Sequence, residues 1–131
     1  MLANNEFIEF NYFNNNFYGT SKKEIERISK DRKVCLLELD VNGANQIFNM
    51  NYPANYLGLL PPSIEILKQR LIGRGTDSQE VIDKRVNIGV NECQEIEKSN
   101  IFNNKIVNDD LEKAYCDFKS NIFSLYPDLK F

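Results

Sequence analysis

"VCLLELDV", the stretch Val34–Val41, decides the fold class of this chain. It is a nearly continuous apolar run, the pattern of a parallel strand that is buried on both faces. Two further short apolar runs follow it, YLGLL at 56–60 and KIVND at 105–109, and helical patterns separate the three runs. Strands that alternate with helices predict an α/β fold, with a parallel sheet, flanking helices and right-handed crossovers.

Three helices after the second run are predicted from apolar residues at helical spacing. Ser63 is placed to cap the first of these helices. Their apolar stripes are Ile64, Leu67 and Leu71 in the first, Ile82, Val86, Val90 and Cys93 in the second, and Leu111, Tyr115, Phe118 and Ile122 in the last.

The N-terminal part has a different pattern. EFIEF at 6–10 alternates polar and apolar residues and predicts a short strand. Thr20 or Ser21 can cap a helix over the following KKEIERISKD, with Ile25 and Ile28 on its inner face.

Composition bounds the function. The length of 131 residues predicts one domain, and the net charge of −3 argues against a general nucleic-acid or lipid-surface binder. The chain has no histidine, and its three cysteines, Cys35, Cys93 and Cys116, are widely spaced, so neither a zinc site nor a histidine base is expected. No signal peptide or membrane span is visible, and we expect a cytoplasmic protein with no nucleic-acid or membrane partner.

Two carboxylates lie near the end of the first apolar run. Glu38 and Asp40 would share one side of the predicted strand. Ligands of open α/β sheets bind at the carboxyl ends of the strands. A carboxylate there could hold Mg²⁺, directly or through water, or accept hydrogen bonds from a base. The alternative, a strand that has merely reached solvent, stays open.

A third carboxylate, Glu9, and the segment Tyr18-Gly19-Thr20 could form a base-binding site. A carboxylate that faces two N–H donors can recognise guanine, whose Watson–Crick edge presents N1–H and N2–H₂. Tyrosine and threonine hydroxyls suit a phosphate oxygen and the O6 or N7 of a base. A polar edge strand followed by a helix cap is the alternative interpretation.

Arginines surround a glycine-flanked turn further along the chain. Arg70 and Arg74 project from one side of a predicted helix, and Arg85 lies on the next. Converging guanidinium groups stabilise the charge of a transferred phosphoryl group without proton chemistry. Gly73 and Gly75 could serve as a hinge, although a solvated helical hairpin explains the same pattern.

VNDD at 107–110 ends the last apolar run and starts a helix. Asp109 or Asp110 could cap that helix. Asn108 could hydrogen-bond an adenine ring.

Together these segments resemble guanylate kinases, in order and in spacing, over nearly the whole chain. The matching segments are NNEFIE, NNFYGTS, LLELDVNGA, PPSIEIL, RLIGRGTDSQEVIDKR and IVNDDLEKAY. The resemblance implies the fold of the P-loop nucleoside monophosphate kinases. The implied reaction is the ATP-dependent phosphorylation of GMP or dGMP, with Mg²⁺ accompanying ATP, by a protein that is a monomer at full length.

The resemblance also implies residue roles. It assigns the guanine of GMP to Glu9, Thr20 and Asp40, and the phosphate of GMP to Tyr18. It assigns the ATP phosphates or the transferred group to Arg70, Arg74 and Arg85, and the adenine region to Asn108. No side chain is expected to ligate the metal directly, with Glu38 or Asp40 left to hold it through water.

One part of the family pattern is not found in the chain. Guanylate kinases begin with a strand and the phosphate-binding loop G-x-x-G-x-G-K-[ST], and the chain contains no such stretch. The resemblance therefore covers the C-terminal two-thirds of the family, with the first strand and its loop absent. It implies that this strand would lie at the centre of the sheet, between the strands at 34–41 and 56–60.

The resemblance predicts a partial domain with four regions. These are the remainder of the GMP-binding region at 1–33, core at 34–72, an arginine-bearing lid at 73–84 and core at 85–131. We expect the chain alone to have little or no kinase activity. The alternatives are a guanylate-kinase-like module that binds a phosphorylated peptide, or a degenerate remnant; retention of all three arginines favours the enzyme lineage.

Overall fold

The structure, a computed structural model, describes residues 7–13, 16–31, 33–75 and 77–129. It divides into two compact units, Met1–Ala54 and Asn55–Phe131. The predicted α/β fold class is confirmed by helices and a parallel strand pair. The elements are β1 (Phe7–Phe13), β2 (Asn16–Ser21), α1 (Lys22–Lys30), α2 (Val41–Asn49), β3 (Leu57–Leu60), α3 (Ile64–Gly73), α4 (Gln79–Lys98), β4 (Asn104–Val107) and α5 (Leu111–Leu125).

The first unit contains an antiparallel hairpin of β1 and β2. Its register places Glu9 opposite Thr20, after an irregularity between Phe7 and Glu9. Ile8 is buried on the hairpin and Ile25 on α1. Ser21 occupies the predicted N-cap position of α1, but its side chain makes no cap hydrogen bond.

The predicted strand at Val34–Val41 is wrong. Residues 33–40 form no strand, and α2 begins at Val41. A strand needs a hydrogen-bonded neighbour, and in the described part of the chain none pairs with this segment. Leu36 is accordingly 69% exposed. The predicted alternation of faces is retained from Leu37 onward, since Glu38 and Asp40 are exposed whereas Leu37 and Leu39 are half-buried.

The second unit is built on a parallel pair, β3 and β4, at the positions expected from YLGLL and KIVND. Leu57 lies opposite Asn104 and Leu60 opposite Val107. Two backbone hydrogen bonds extend the ladder, from Asn103 N to Tyr56 O (2.7 Å) and from Asn108 N to Leu60 O (2.8 Å). The carboxyl ends of the two strands therefore lie side by side, at the start of the turn that leads into α5.

Helices α3 and α4 pack against each other in this unit. Ser63 caps α3 as predicted, because its Oγ accepts a hydrogen bond from Ile66 N at 3.2 Å. The two helices approach closely at Gly89, where an added Cβ would lie 2.7 Å from Leu67 Cδ2. Within the described ranges, no helix is long and apolar enough to cross a membrane.

The predicted apolar stripe of α5 needs correction. Leu111 and Tyr115 are 75% and 56% exposed, whereas Ala114 and Ile122 are buried. The packed line runs through Ala114, Phe118 and Ile122, with a spacing of one helical turn. The prediction missed it because a small alanine adds little to an apolar pattern and the larger Leu111 and Tyr115 outweigh it.

Gly58→Ala is expected to destabilise the second unit. A Cβ at Gly58 would lie 2.6 Å from Ile96 Cγ2 and 3.4 Å from Phe102 Cδ1, so the Ile96 side chain, β3 or α4 must shift. Overpacking of this kind costs about 1–3 kcal/mol. Urea unfolding measures the loss. Gly73→Ala is the matched control, because an added Cβ there meets nothing within 4 Å, and an equal unfolding free energy for the two variants would contradict the packing.

Cys93 is expected to react more slowly than Cys116 with iodoacetamide near neutral pH. Burial raises the pKa of the Cys93 thiol, with Glu97 and Glu92 adding to the shift, so less of it is thiolate at that pH. Cys116 is exposed. Mass spectrometry of quenched samples measures both labelling rates. As the pH is raised, the rate for Cys93 should keep increasing at pH values above the ordinary pKa of a thiol, because its own pKa is raised. Glu97→Gln should accelerate labelling of Cys93, and an unchanged rate would count against the electrostatic contribution.

Candidate functional site

The hairpin of the first unit holds a buried carboxylate. Glu9 is 5% exposed, although glutamate is rarely buried without a partner. Thr20, directly opposite on β2, donates a hydrogen bond from Oγ1 to Glu9 Oε1 at 2.7 Å. The hairpin register therefore fixes one oxygen of this carboxylate, and two of the predicted site residues lie in contact.

A second carboxylate lies beside it. Asp40 is the N-cap of α2, and its Oδ1 accepts a hydrogen bond from Gly43 N at 2.8 Å. A Cβ added at Gly43 would lie 3.2 Å from Asp40 Oδ1 and 3.3 Å from Glu9 Oε2. The two carboxylate oxygens thus border the same small space, and Glu9, Thr20 and Asp40 form one cluster.

The second oxygen of Glu9, Oε2, is the hydrogen-bond acceptor that the cluster offers to a ligand. Among the residues that the structure describes, none donates a hydrogen bond to Oε2. A charged carboxylate in a largely buried residue is more stable when donors reach both of its oxygens. A ligand that brings N–H groups into the space between Glu9 and Asp40 would supply what this oxygen lacks. The cluster is therefore suited to a planar molecule with adjacent hydrogen-bond donors.

The structure says less about the predicted phosphate contact of Tyr18 and the predicted magnesium site. Tyr18 pairs with Asn11 in the hairpin backbone, and its side chain lies outside the described part of the structure. In the described ranges, no group of three or more Asp, Glu, Cys or His side chains could hold a metal ion. A role for Glu38 or Asp40 in holding Mg²⁺ through water stays a prediction.

Arg70 lies in the second unit, near the end of α3, and contacts the turn after β4. Its Nη1 donates to Asn108 O at 2.8 Å and its Nη2 to Asp109 O at 3.4 Å. A guanidinium carries five N–H donors, so these contacts orient the group and leave donors for a phosphate. Arg70 and Asn108, assigned separately from the sequence, are therefore neighbours at the carboxyl ends of the strands.

The turn after β4 also contains a helix cap. Asp110 Oδ1 accepts a hydrogen bond from Glu112 N at 2.9 Å, which confirms the capping alternative for this residue. The contacts of Asn108 described above are made by its backbone. A contact between its side chain and an adenine ring stays a prediction.

The other two arginines flank the turn between α3 and α4. Arg74 is the exposed C-cap of α3, followed by Gly75 in the left-handed region at φ +69°. Arg85, on α4, pairs with Asp77 across 3.6 Å between Nη1 and Oδ2. A partly exposed ion pair of this length is weak, so Arg85 could exchange Asp77 for a phosphate group at little cost. Thr76 lies outside the described residues.

Sequence reasoning missed two members of these sites. Gly43 was not singled out as a site residue, because its closeness to Glu9 depends on how β1 approaches the first turn of α2. Asp77 was not singled out, because its contact with Arg85 depends on the path of the turn between two helices.

Known guanylate kinases match this chain in sequence and in structure. The sequence model of the family "Guanylate kinase" matches residues 1–125. The guanylate kinase of Neisseria gonorrhoeae is 41% identical over 114 residues, which cover 87% of this chain and 54% of that protein. The guanylate kinase of Schizosaccharomyces pombe is 39% identical over 115 residues, which cover 88% and 57%.

The solved structures agree. The crystal structure of guanylate kinase from Anaplasma phagocytophilum superposes with a TM-score of 0.66 and 25% identity, covering 98% of this chain and 60% of that one. The chain thus spans less than two thirds of the length of these relatives. Because the family model matches nearly all of it, the resemblance found in the sequence is confirmed, and the chain belongs to the guanylate kinase family.

Proposed function

We propose that this chain carries the GMP-binding site and the ATP-side arginines of a guanylate kinase. The reaction is transfer of the γ-phosphoryl group of ATP to GMP or dGMP, giving ADP and the nucleoside diphosphate. The observation that carries the proposal is the buried Glu9 carboxylate. One of its oxygens is held by Thr20, and the other borders a space shared with Asp40.

This arrangement favours guanine over adenine. Glu9 Oε2 is an acceptor, and the N1–H and N2–H₂ groups of guanine are adjacent donors. Adenine presents an acceptor at N1, which would face the carboxylate without a hydrogen bond. A site whose buried polar groups need particular partners rejects ligands that lack them, because those groups are then left unpaired. The hydroxyl of Thr20 keeps Glu9 in place through its hydrogen bond to Oε1.

The arginines support the phosphoryl-transfer half of the proposal. Phosphoryl transfer is promoted by positioning and by positive charge on the transferred group. Arg70 is oriented by two backbone carbonyl groups, and Arg85 makes a weak pair with Asp77. Arg74 is exposed next to the left-handed Gly75, at the turn of the proposed lid.

The metal ion is proposed to arrive with ATP. Mg²⁺ commonly keeps several waters and binds through substrate phosphates and one or two carboxylates. Glu38, which is exposed, or Asp40 could hold such a water. The ion would neutralise charge on the phosphates.

Isothermal titration calorimetry of the chain with GMP and with AMP tests the proposal. GMP is expected to bind at least about tenfold more tightly than AMP, since one lost hydrogen bond to a charged group is worth about 1.5–3 kcal/mol. Equal affinities, or no binding of GMP, would contradict it. Because the readout is binding, the test does not depend on whether the chain performs the transfer.

A further inference from the structure

Gly43 lies where the two carboxylates of the proposed guanine site meet. It is a buried residue in the first turn of α2, three positions after Asp40. Its N–H donates to Asp40 Oδ1 at 2.8 Å. Any residue other than proline could donate this backbone hydrogen bond, so the bond does not explain why the residue is glycine.

The absence of a side chain at Gly43 is a separate feature. An added Cβ would lie 3.2 Å from Asp40 Oδ1, 3.3 Å from Glu9 Oε2 and 3.3 Å from Leu39 Cβ. Each distance is tighter than ordinary van der Waals contact, so a methyl group would press on both carboxylates. Glu9 has little freedom to retreat, because it is 5% exposed and its Oε1 is held by Thr20.

Local structure does not require glycine at this position. Gly43 is helical and has no positive φ, and alanine is the better residue in a helix. The close approach of the carboxylates is therefore the feature that the missing Cβ serves. It leaves open the space that both oxygens border.

We propose that Gly43 is a specificity-determining residue of the guanine site. Its missing side chain keeps the space between Glu9 Oε2 and Asp40 Oδ1 open to the donor edge of the base, while its N–H fixes Asp40. This inference rests on the proposed function. Gly43 acts by setting where the carboxylates lie, and it makes no hydrogen bond to the base through a side chain.

The test is Gly43→Ala, measured by calorimetry with GMP and with inosine monophosphate, which lacks the 2-amino group. We expect at least tenfold weaker GMP binding and a smaller preference for GMP over inosine monophosphate, because the methyl group displaces Glu9 from the N1 and N2 donors. The urea midpoint should change little, because the better helix propensity of alanine opposes the cost of this close contact. Asn49→Ala, an exposed change at the end of the same helix, should alter neither quantity.

The outcomes separate this inference from the proposed function. If the unaltered chain binds GMP and Gly43→Ala binds it within twofold, the inference is wrong and the proposed function stands. If the unaltered chain does not bind GMP, both fail. An equal loss of affinity for the two nucleotides would indicate a general structural effect and would overturn the inference.

A second variant covers the case in which Gly43→Ala lowers stability. Glu9→Asp shortens the side chain and withdraws the carboxylate from the methyl group. The double variant Glu9→Asp/Gly43→Ala should then recover the urea midpoint of Glu9→Asp alone. Failure to recover it would show that the methyl group does not press on Glu9, which would also overturn the inference.

Discussion

Glu9→Gln is expected to weaken GMP binding by about 100-fold, since two charge-assisted hydrogen bonds, each worth about 1.5–3 kcal/mol, would be weakened or lost. Glutamine has nearly the same size as glutamate, but it has no charge and replaces one acceptor with an NH₂ donor. If that NH₂ takes the position of Oε2, it faces the N–H groups of guanine. Calorimetry with GMP measures the effect.

The control for this variant is Glu26→Gln. Glu26 lies on α1 in the same unit and is exposed, so its change removes one negative charge without altering the hairpin cluster. Circular dichroism checks that both variants fold. GMP affinities within threefold of each other would contradict the role assigned to Glu9.

The chain alone is expected to phosphorylate GMP at least about 1,000-fold more slowly than a guanylate kinase that contains the phosphate-binding loop, since one electrostatic clamp on the transferred group is worth about 10³–10⁵ in rate. No G-x-x-x-x-G-K-[ST] stretch occurs in its 131 residues. That loop supplies backbone N–H groups and a lysine to the phosphates of ATP. Arg70, Arg74 and Arg85 supply positive charge, but they do not replace the backbone N–H groups and the lysine of that loop.

A coupled assay of ADP production, with the guanylate kinase of Neisseria gonorrhoeae as positive control, measures this rate. Product formation should not exceed that of an Arg70→Ala/Arg85→Ala variant of the chain. ATP-dependent formation of GDP at a rate comparable to the positive control would contradict the prediction. It would also show that residues of this chain hold the phosphates in a way that the known loop does not explain.

Short sequence patterns predicted correctly those elements of the second unit that pair with, or are capped by, residues of the same unit. YLGLL and KIVND form β3 and β4 because each supplies the other's ladder, and Ser63 caps α3 through a contact within its own turn. The run at Val34–Val41 is also largely apolar, but it has no paired neighbour in the described residues and forms no strand. Apolar composition thus predicts which segments suit a strand, while pairing decides which become one.

In the candidate site, too, residue types could be recognised from the sequence, whereas contacts that depend on tertiary packing could not. Residue chemistry marked Glu9, Thr20 and Asp40 as candidates beside plainer alternatives, and only the resemblance to guanylate kinases assigned them to one site. The role of Gly43 could not be predicted, because it depends on the approach of β1 to the first turn of α2. The burial of Ala114 in place of Leu111 was missed for a related reason, as packing against β4 selects the face of α5 and side-chain size does not.

The most direct test of the guanine site is a ¹⁵N-correlated NMR titration of the labelled chain with GMP and, separately, with AMP. GMP is expected to shift the backbone amide signals of Glu9, Thr20, Asp40 and Gly43, and to leave those of α5 in place. AMP at the same concentration should leave all of them unchanged. GMP shifts confined to other residues, or equal shifts with AMP, would contradict the claim that Glu9, Thr20 and Asp40 recognise guanine.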